Sequence, residues 1–287
     1  MSEALKRDYE IGEELGRGRF GTVFRCFSRE SGEPFALKSI DKSLLTDPID
    51  RECADREAKI HRLVAAGNPG VVGIHEEYED DAAIHLIIDL CPGGDLFDRI
   101  SGSAPLPEPE AAAVTAALVE AIAACHRRGV AHRDVKPDNV LFDLKGRLRL
   151  SDFGSAEWFG EDGGEEMRGL VGTPYYVAPE VVAGKHYGEK VDVWSAGVIL
   201  YMMLSGMAPF YGESAAETFE AVLRSNLRFP TRVFRSVSPG AKDLIRRMLC
   251  KDVSRRFSAE QVLRHPWITS SGGSILVEQE NLLPSSL

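Results

Sequence analysis

The chain changes character once. Up to Leu90, short β-type runs alternate with turns; after Pro92-Gly93-Gly94, long helix-forming stretches take over. A chain that keeps strands and helices in separate halves cannot weave them into alternating βαβ layers. It is expected to fold as α+β, with a small strand-rich part and a larger helical part. In the first half, Tyr9-Glu10-Ile11 leads into a glycine-rich turn, and strands are expected over 22–27 and 35–40 around Ser31-Gly32-Glu33-Pro34. Asp47-Pro48 reads as a cap and first helical position, opening a helix over 49–66 that stops at Gly67. Residues 84–90 form a buried-strand candidate. In the second half, helices are expected over 109–128, 191–204, 241–249 and 259–263.

Composition narrows the partners. The formal net charge of −10 argues against a general nucleic-acid or anionic-membrane surface, and no apolar run reaches the ~18 residues of a membrane span. The five cysteines are scattered and contain no C-x-x-C, so reduced thiols in a cytoplasmic protein are expected rather than a disulfide framework or zinc site. Residues 1–10 are polar and mixed in charge, unlike a signal or transit peptide.

Five motifs carry chemistry. Gly16-Arg17-Gly18-Arg19-Phe20-Gly21-Thr22-Val23 matches G-x-G-x-x-G-x-V. Alone it marks a tight turn, a dinucleotide site or a phosphate-covering hairpin. The strand that follows, in place of a helix, counts against the dinucleotide reading. Glycine lets backbone N–H groups lie close over phosphates because no Cβ intervenes. Lys38, in Phe35-Ala36-Leu37-Lys38, is either a solvated surface group or a cation reaching phosphate. His132-Arg133-Asp134-Val135-Lys136-Pro137-Asp138-Asn139 fits H-R-D-x-x-x-x-N and is the most specific string. One carboxylate there can accept a hydroxyl proton, an amide oxygen can bind a metal, and Lys136 can neutralise a moving phosphoryl group. Asp152-Phe153-Gly154 offers a hard oxygen ligand suited to Mg²⁺. Ala178-Pro179-Glu180 completes the set. The short strings are common by chance; all five in this order are not.

Together they resemble a eukaryotic-type protein kinase catalytic domain over about residues 9–268. GGDLFDRI at 93–100, GTPYYVAPE at 172–180 and RHPWI at 264–268 resemble the calcium- and calmodulin-dependent kinase group. EIGEELGRGRFG at 10–21, FEAVLRSNLRFP at 219–230 and CKDVSRRFSAEQ at 250–261 resemble plant phosphoenolpyruvate carboxylase kinases. The resemblance implies a bilobal fold: N-lobe 9–90, hinge 89–94 and C-lobe 95–268, flanked by an extension at 1–8 and a short mobile tail at 269–287. ATP would sit in the cleft under Gly16, Gly18 and Gly21. Leu15, Val23 and Ala36 would cover the adenine, Leu141 would lie below it, and Ile88 behind it. Asp89 and Cys91 would offer backbone groups to adenine, and Asp95 would hold ribose. Lys38 would bind the α- and β-phosphates, partnered by Glu57, with Glu52 as rival. Asp134 would be the base, Asn139 and Asp152 the Mg²⁺ ligands, and Asp192 a bond to the backbone near His132. Glu180 would pair with Arg256. Thr173 would contact Asp134 and Lys136, marking the Ser/Thr type.

The implied function is an ATP- and Mg²⁺-dependent Ser/Thr kinase, monomeric and calcium-independent, acting on an N-terminal serine of phosphoenolpyruvate carboxylase. Two alternatives stand beside it: the catalytic domain of a calcium-dependent kinase with other substrates, and an ATP-binding pseudokinase scaffold. No D-x-[DN]-x-[DN]-G calcium loop occurs in these residues. Asp95, Asp138 and Glu220 are either acids for a basic residue upstream of the acceptor or, respectively, a ribose contact, a loop cap and a surface charge. Finally, residues 156–172 hold no Ser, Thr or Tyr, while Glu161, Asp162, Glu165 and Glu166 crowd the middle. Kinases with an arginine at the position of Arg133 commonly pair it with a phosphate. Glu165 or Glu166 is the expected stand-in; the alternative is a solvated loop ordered only by substrate.

Overall fold

The computed structural model describes residues 2–102, 104–159 and 167–272. The chain divides into two compact units: Met1–Gly94 with Leu141–Ala156, and Asp95–Val140 with Glu157–Leu287.

The first unit is built on one antiparallel sheet of β1 (Tyr9–Arg17), β2 (Gly21–Ser28), β3 (Pro34–Asp41), β4 (Ile74–Glu79) and β5 (Ala83–Asp89), in the order β1-β2-β3-β5-β4. Side chains alternate along a strand, so β3 divides its residues between two cores. Leu37 goes to one face with Cys26, Ile87, Leu5 and Tyr9. Ile40 goes to the other with Leu86 and with Ala54 and Ala58 of α2 (Pro48–Ala65). Ala36 and Lys38 share the parity of Ile40, which puts Lys38 on the α2 face. Helix α2 starts as its sequence implies: the Asp47 carboxylate accepts from Ile49 N–H at 2.8 Å, with Pro48 at the first turn.

Two features depart from expectation. Residues 2–8, expected only as an extension, carry α1 (Glu3–Asp8), which is capped by the Ser2 hydroxyl and buries Leu5 completely in the sheet's outer core. One turn and a half with a single core leucine leaves no periodicity for a sequence reading to find. The second departure is that residues 141–156, expected within the C-lobe, return to the first unit. Here β7 (Val140–Phe142) pairs with β8 (Leu148–Leu150). Backbone bonds tie them in: Gly93 N–H to Phe142 O at 2.9 Å, Phe142 N–H to Gly94 O at 3.0 Å, and Val72 N–H to Leu150 O at 3.0 Å.

The second unit is helical, as expected. It comprises α3 (Leu96–Ile100), α4 (Glu108–His126), α5 (Pro179–Val182), α6 (Lys190–Ser205), α7 (Ala215–Arg224), α8 (Thr231–Phe234), α9 (Pro239–Met248), α10 (Ala259–Leu263) and α11 (Pro266–Gly272). A two-stranded ribbon, β6 (Val130–Ala131) with β9 (Glu157–Trp158), completes it. Helix α6 is apolar nearly all round because it is the centre, packed by α4, α8 and α9. It ends at Gly206, whose φ of 68° is the left-handed cap that glycine adopts without a Cβ penalty. Helix α7 was not among the expected helices, although Ser214 three residues before Glu217 is a start signal: the Ser214 hydroxyl accepts from Glu217 N–H. Arg256 grips Glu180 with two bonds, 2.6 and 2.8 Å, and both side chains are buried. Among the described residues no helix is long and apolar enough to cross a membrane. Among the described residues the five cysteines form no disulfide.

Candidate functional site

The motif residues form two clusters, one in each unit. In the first, Lys38 Nζ lies 2.6 Å from Glu57 Oε1 and 2.7 Å from Asp152 Oδ1. Glu57 faces inward from α2 with 4% of its side chain exposed, so its carboxylate needs a cation. The rival Glu52 is 72% exposed and turns to Arg56 instead. Burial alone would lower the Lys38 pKa; Asp152 and Glu57 outweigh it and hold the ammonium above the ordinary lysine value. Asp152 has a left-handed backbone, φ 63°. At Gly154 a Cβ would come 3.2 Å from Glu57 Oε2, a tight contact. Phe153 is buried against His61 of α2, ring centroids 5.0 Å apart, and His61 Nε2 lies 2.7 Å from Val72 O. Asp152 is thereby fixed from its neighbour's side.

The residues expected around adenine share this unit. Val23 pairs with Lys38 across β2–β3, and Ala36 with Ile88 across β3–β5, placing all four on one face of the sheet. Leu15 is 43% exposed at the end of β1, and Leu141 is half-buried in β7. Gly18 N–H closes the glycine-rich turn onto Gly21 O at 2.8 Å. At Gly21 a Cβ would lie 1.9 Å from Ser39 O, so this glycine is demanded by the sheet itself. A Cβ at Gly16 would meet nothing within 4 Å. The expectation for Asp89 narrows: its N–H donates to Gly73 O at 2.9 Å, leaving the carbonyl as the backbone group it can offer. Its carboxylate is engaged by Gly73 N–H and His75. Burial pushes the Cys91 thiol up to about 11, so at neutral pH it stays a thiol.

In the second unit, Asp134 is surrounded by its motif partners. Thr173 Oγ1 donates to Asp134 Oδ1 at 3.0 Å, and Lys136 Nζ lies 2.9 Å from Asp134 Oδ2 and 3.4 Å from Thr173 Oγ1. Asn139 Nδ2 donates to Asp134 O at 2.9 Å, which makes the amide oxygen its ligand end. Each unit thus carries a hard oxygen donor of the kind Mg²⁺ takes, the Asp152 carboxylate in the first and the Asn139 amide oxygen in the second. Asp192, fully buried in α6, accepts from His132 N–H and Arg133 N–H, both at 2.8 Å, and its Oδ2 lies 2.8 Å from His126 Nε2. Burial would raise its carboxyl pKa; His126 and the backbone bond outweigh that and hold it below the ordinary value. Arg133, so held, has φ 67°. Among the described residues, Arg133 and Asp152 are the non-glycine positions with positive φ. Each costs about 1–3 kcal/mol and persists only where its surroundings impose it.

The three expected substrate acids differ. Asp95 caps α3, accepting from Asp98 N–H at 2.8 Å, and α3 packs on the turn that carries exposed Asp138. Glu220 is spent on Arg224 at 3.1 Å on the surface of α7. Glu165 and Glu166 lie outside the described residues. His61, Glu157 and Tyr187 touch motif residues but had drawn no attention in the sequence. No spacing rule points to them.

Comparison with known proteins agrees with the geometry. The protein kinase domain family matches residues 9–268. Calcium-dependent protein kinase 10 of Oryza sativa subsp. japonica is 44% identical over 274 residues, 94% of this chain and 45% of that protein. Calcium-dependent protein kinase 14 of Arabidopsis thaliana is 45% identical over 267 residues, 92% of this chain and 50% of that protein. Calcium-dependent protein kinase 8 of Oryza sativa subsp. japonica is 46% identical over 266 residues, 92% and 49%. The chain thus spans about half the length of these relatives.

The Asp192 site makes a pH prediction. A carboxyl held below its unfolded value contributes stability above about pH 4 and loses it as the pH falls further. Asp192→Asn keeps one acceptor oxygen for two backbone N–H groups. It should cost about 1.5–3 kcal/mol at pH 7, with the gap to the unaltered protein closing towards pH 3. Urea unfolding at both pH values measures this; an undiminished gap at pH 3 contradicts it.

Proposed function

The chain belongs to the protein kinase domain family, and from that premise we propose that it transfers the γ-phosphoryl group of ATP to serine or threonine hydroxyls of a protein. The observation that carries the reading is the Asp134 cluster, where one carboxylate is held by a threonine hydroxyl, a lysine and an asparagine-bonded backbone. Asp134 orients the acceptor hydroxyl and takes its proton as the new P–O bond forms and the bond to ADP breaks. Lys136 offsets negative charge at the moving group, and Thr173 keeps Asp134 in one rotamer. Lys38 binds the α- and β-phosphates, and Glu57 keeps it charged and aimed. Asn139 and Asp152 would hold Mg²⁺, which would neutralise phosphate charge when bound with ATP. Leu15, Gly16, Gly18, Gly21, Val23, Ala36, Asp89, Cys91, Asp95 and Leu141 serve the nucleotide. Catalysis is positioning and electrostatics, since the loose transition state asks little covalent work of the protein.

For substrate and control, the relatives favour the catalytic domain of a calcium-dependent kinase. A second reading rests on the three strings at 10–21, 219–230 and 250–261, which resemble phosphoenolpyruvate carboxylase kinases and make that carboxylase the substrate to try first. In either case exposed Asp138 supplies an acid for a basic residue about three positions before the acceptor, while Glu220 pairs with Arg224 and Asp95 serves the ribose.

Two measurements test this. Asp134→Asn should fold and lose more than about tenfold in kcat/KM, over ~1.4 kcal/mol; Lys38→Met should lose as much. Retention of a tenth or more by Asp134→Asn removes it as the base. Because these 287 residues contain no D-x-[DN]-x-[DN]-G loop, their activity should be equal in added Ca²⁺ and in excess chelator with Mg²⁺ restored. Several-fold calcium stimulation would contradict that.

A further inference from the structure

The guanidinium of Arg133 is a buried cation beside the proposed base, with 5% of its side chain exposed. Such a charge is stable only where anions and acceptors are built around it. Two residues outside every motif help to do so. Glu157 Oε2 lies 3.6 Å from Arg133 Nη2, an ion-pair distance. Its position is set by backbone: Glu157 on β9 stands in register with Ala131 on β6, two residues before Arg133. On the other side, Arg133 Nη1 donates to the Tyr187 hydroxyl oxygen at 3.3 Å. That hydroxyl in turn faces Arg168 O at 3.3 Å and Gly169 O at 3.2 Å, and it has one proton to give them. Burial pushes the Tyr187 pKa up more than Arg133 pulls it down, so this proton stays at neutral pH. Tyr187 N–H also donates to Met167 O at 3.1 Å. The tyrosine therefore holds residues 167–169 by both its backbone and its side chain.

Those residues lead directly to Thr173. Gly172 has φ 103°, and a Cβ there would lie 2.9 Å from Arg133 O, so the strand of chain before Thr173 lies against the backbone of Arg133. We propose that Glu157 and Tyr187 are positioning residues: they hold Arg133, and through the tyrosine hydroxyl the chain at 168–169, so that Thr173 and Asp134 stay aligned without covalent modification of residues 156–172. This rests on the kinase reading above and names how that site is kept ordered. The run 156–172 offers no hydroxyl to modify, yet it begins with a carboxylate already placed at Arg133.

The test is steady-state kinetics of Glu157→Gln, Tyr187→Phe and the double variant, with active sites titrated and melting temperatures measured. Each single change should lower kcat per active site about fivefold or more and leave KM for ATP within about twofold. The double variant should fall well short of the product of the two losses, because both act through Arg133. Glu157→Asp should recover part of what Glu157→Gln loses. A merely structural role would lower the melting temperature and the active fraction but leave kcat per active site unchanged. Glu157→Gln at a partly exposed position keeps the test alive even if Tyr187→Phe does not fold. Folded Glu157→Gln with kcat within twofold of the unaltered enzyme overturns the proposal and leaves the kinase reading standing; absence of transfer by the unaltered chain removes that reading first.

Discussion

One buried carboxylate organises the second unit. Asp192, fully enclosed in the central helix α6, accepts hydrogen bonds from the successive backbone N–H groups of His132 and Arg133. Two donors aimed at one carboxylate force Arg133 into the left-handed region, which a bulky side chain ordinarily avoids. Everything downstream depends on that turn. It sets the next residue, Asp134, among Thr173, Lys136 and Asn139, and sends the Arg133 guanidinium to Glu157 and Tyr187. A charge-assisted bond to buried backbone contributes more than a neutral one, which is how one side chain can outweigh the strain it imposes.

The first unit solves a similar problem by different means. Glu57 is buried on α2 and Lys38 is held on the sheet face below it by strand parity, so the pair fixes the helix relative to β3. Asp152 joins through its own left-handed backbone, anchored by Phe153 packed on His61. In both units the strained residue adjoins or bears a carboxylate that the proposed chemistry uses. Strain of this kind is maintained by neighbours and keeps a reactive group from relaxing to an easier conformer.

Much of this was legible before any coordinates. The break near Pro92 separated strand-rich from helical halves because turn residues and periodicity report locally. The grouping of Lys38 with Asp152, and of Asp134 with Lys136 and Asn139, was legible because their motifs fix residue type and spacing. Motif distance already favoured Glu57 over Glu52, and the structure agrees: Glu57 reaches Lys38, while Glu52 is exposed. What stayed hidden was set by tertiary contact: Leu5 sealing the sheet's outer core, residues 141–156 returning to the first unit, and the hydroxyl of Tyr187 meeting the chain at 168–169. Residues far apart in sequence carry no mark of their partnership. Glu165 and Glu166, the expected partners of Arg133, lie outside the described residues, while Glu157 is brought to Arg133 by a two-residue strand too short to read.

The central claim is that these carboxylates and lysines move phosphate onto a protein hydroxyl. Incubating the purified chain with labelled ATP, Mg²⁺ and a degenerate peptide library, then identifying the labelled amino acid and its flanking residues, tests it most directly. The account predicts label on serine and threonine, with arginine or lysine enriched about three positions before the acceptor. ATP bound with no label transferred, or label on tyrosine, would contradict it.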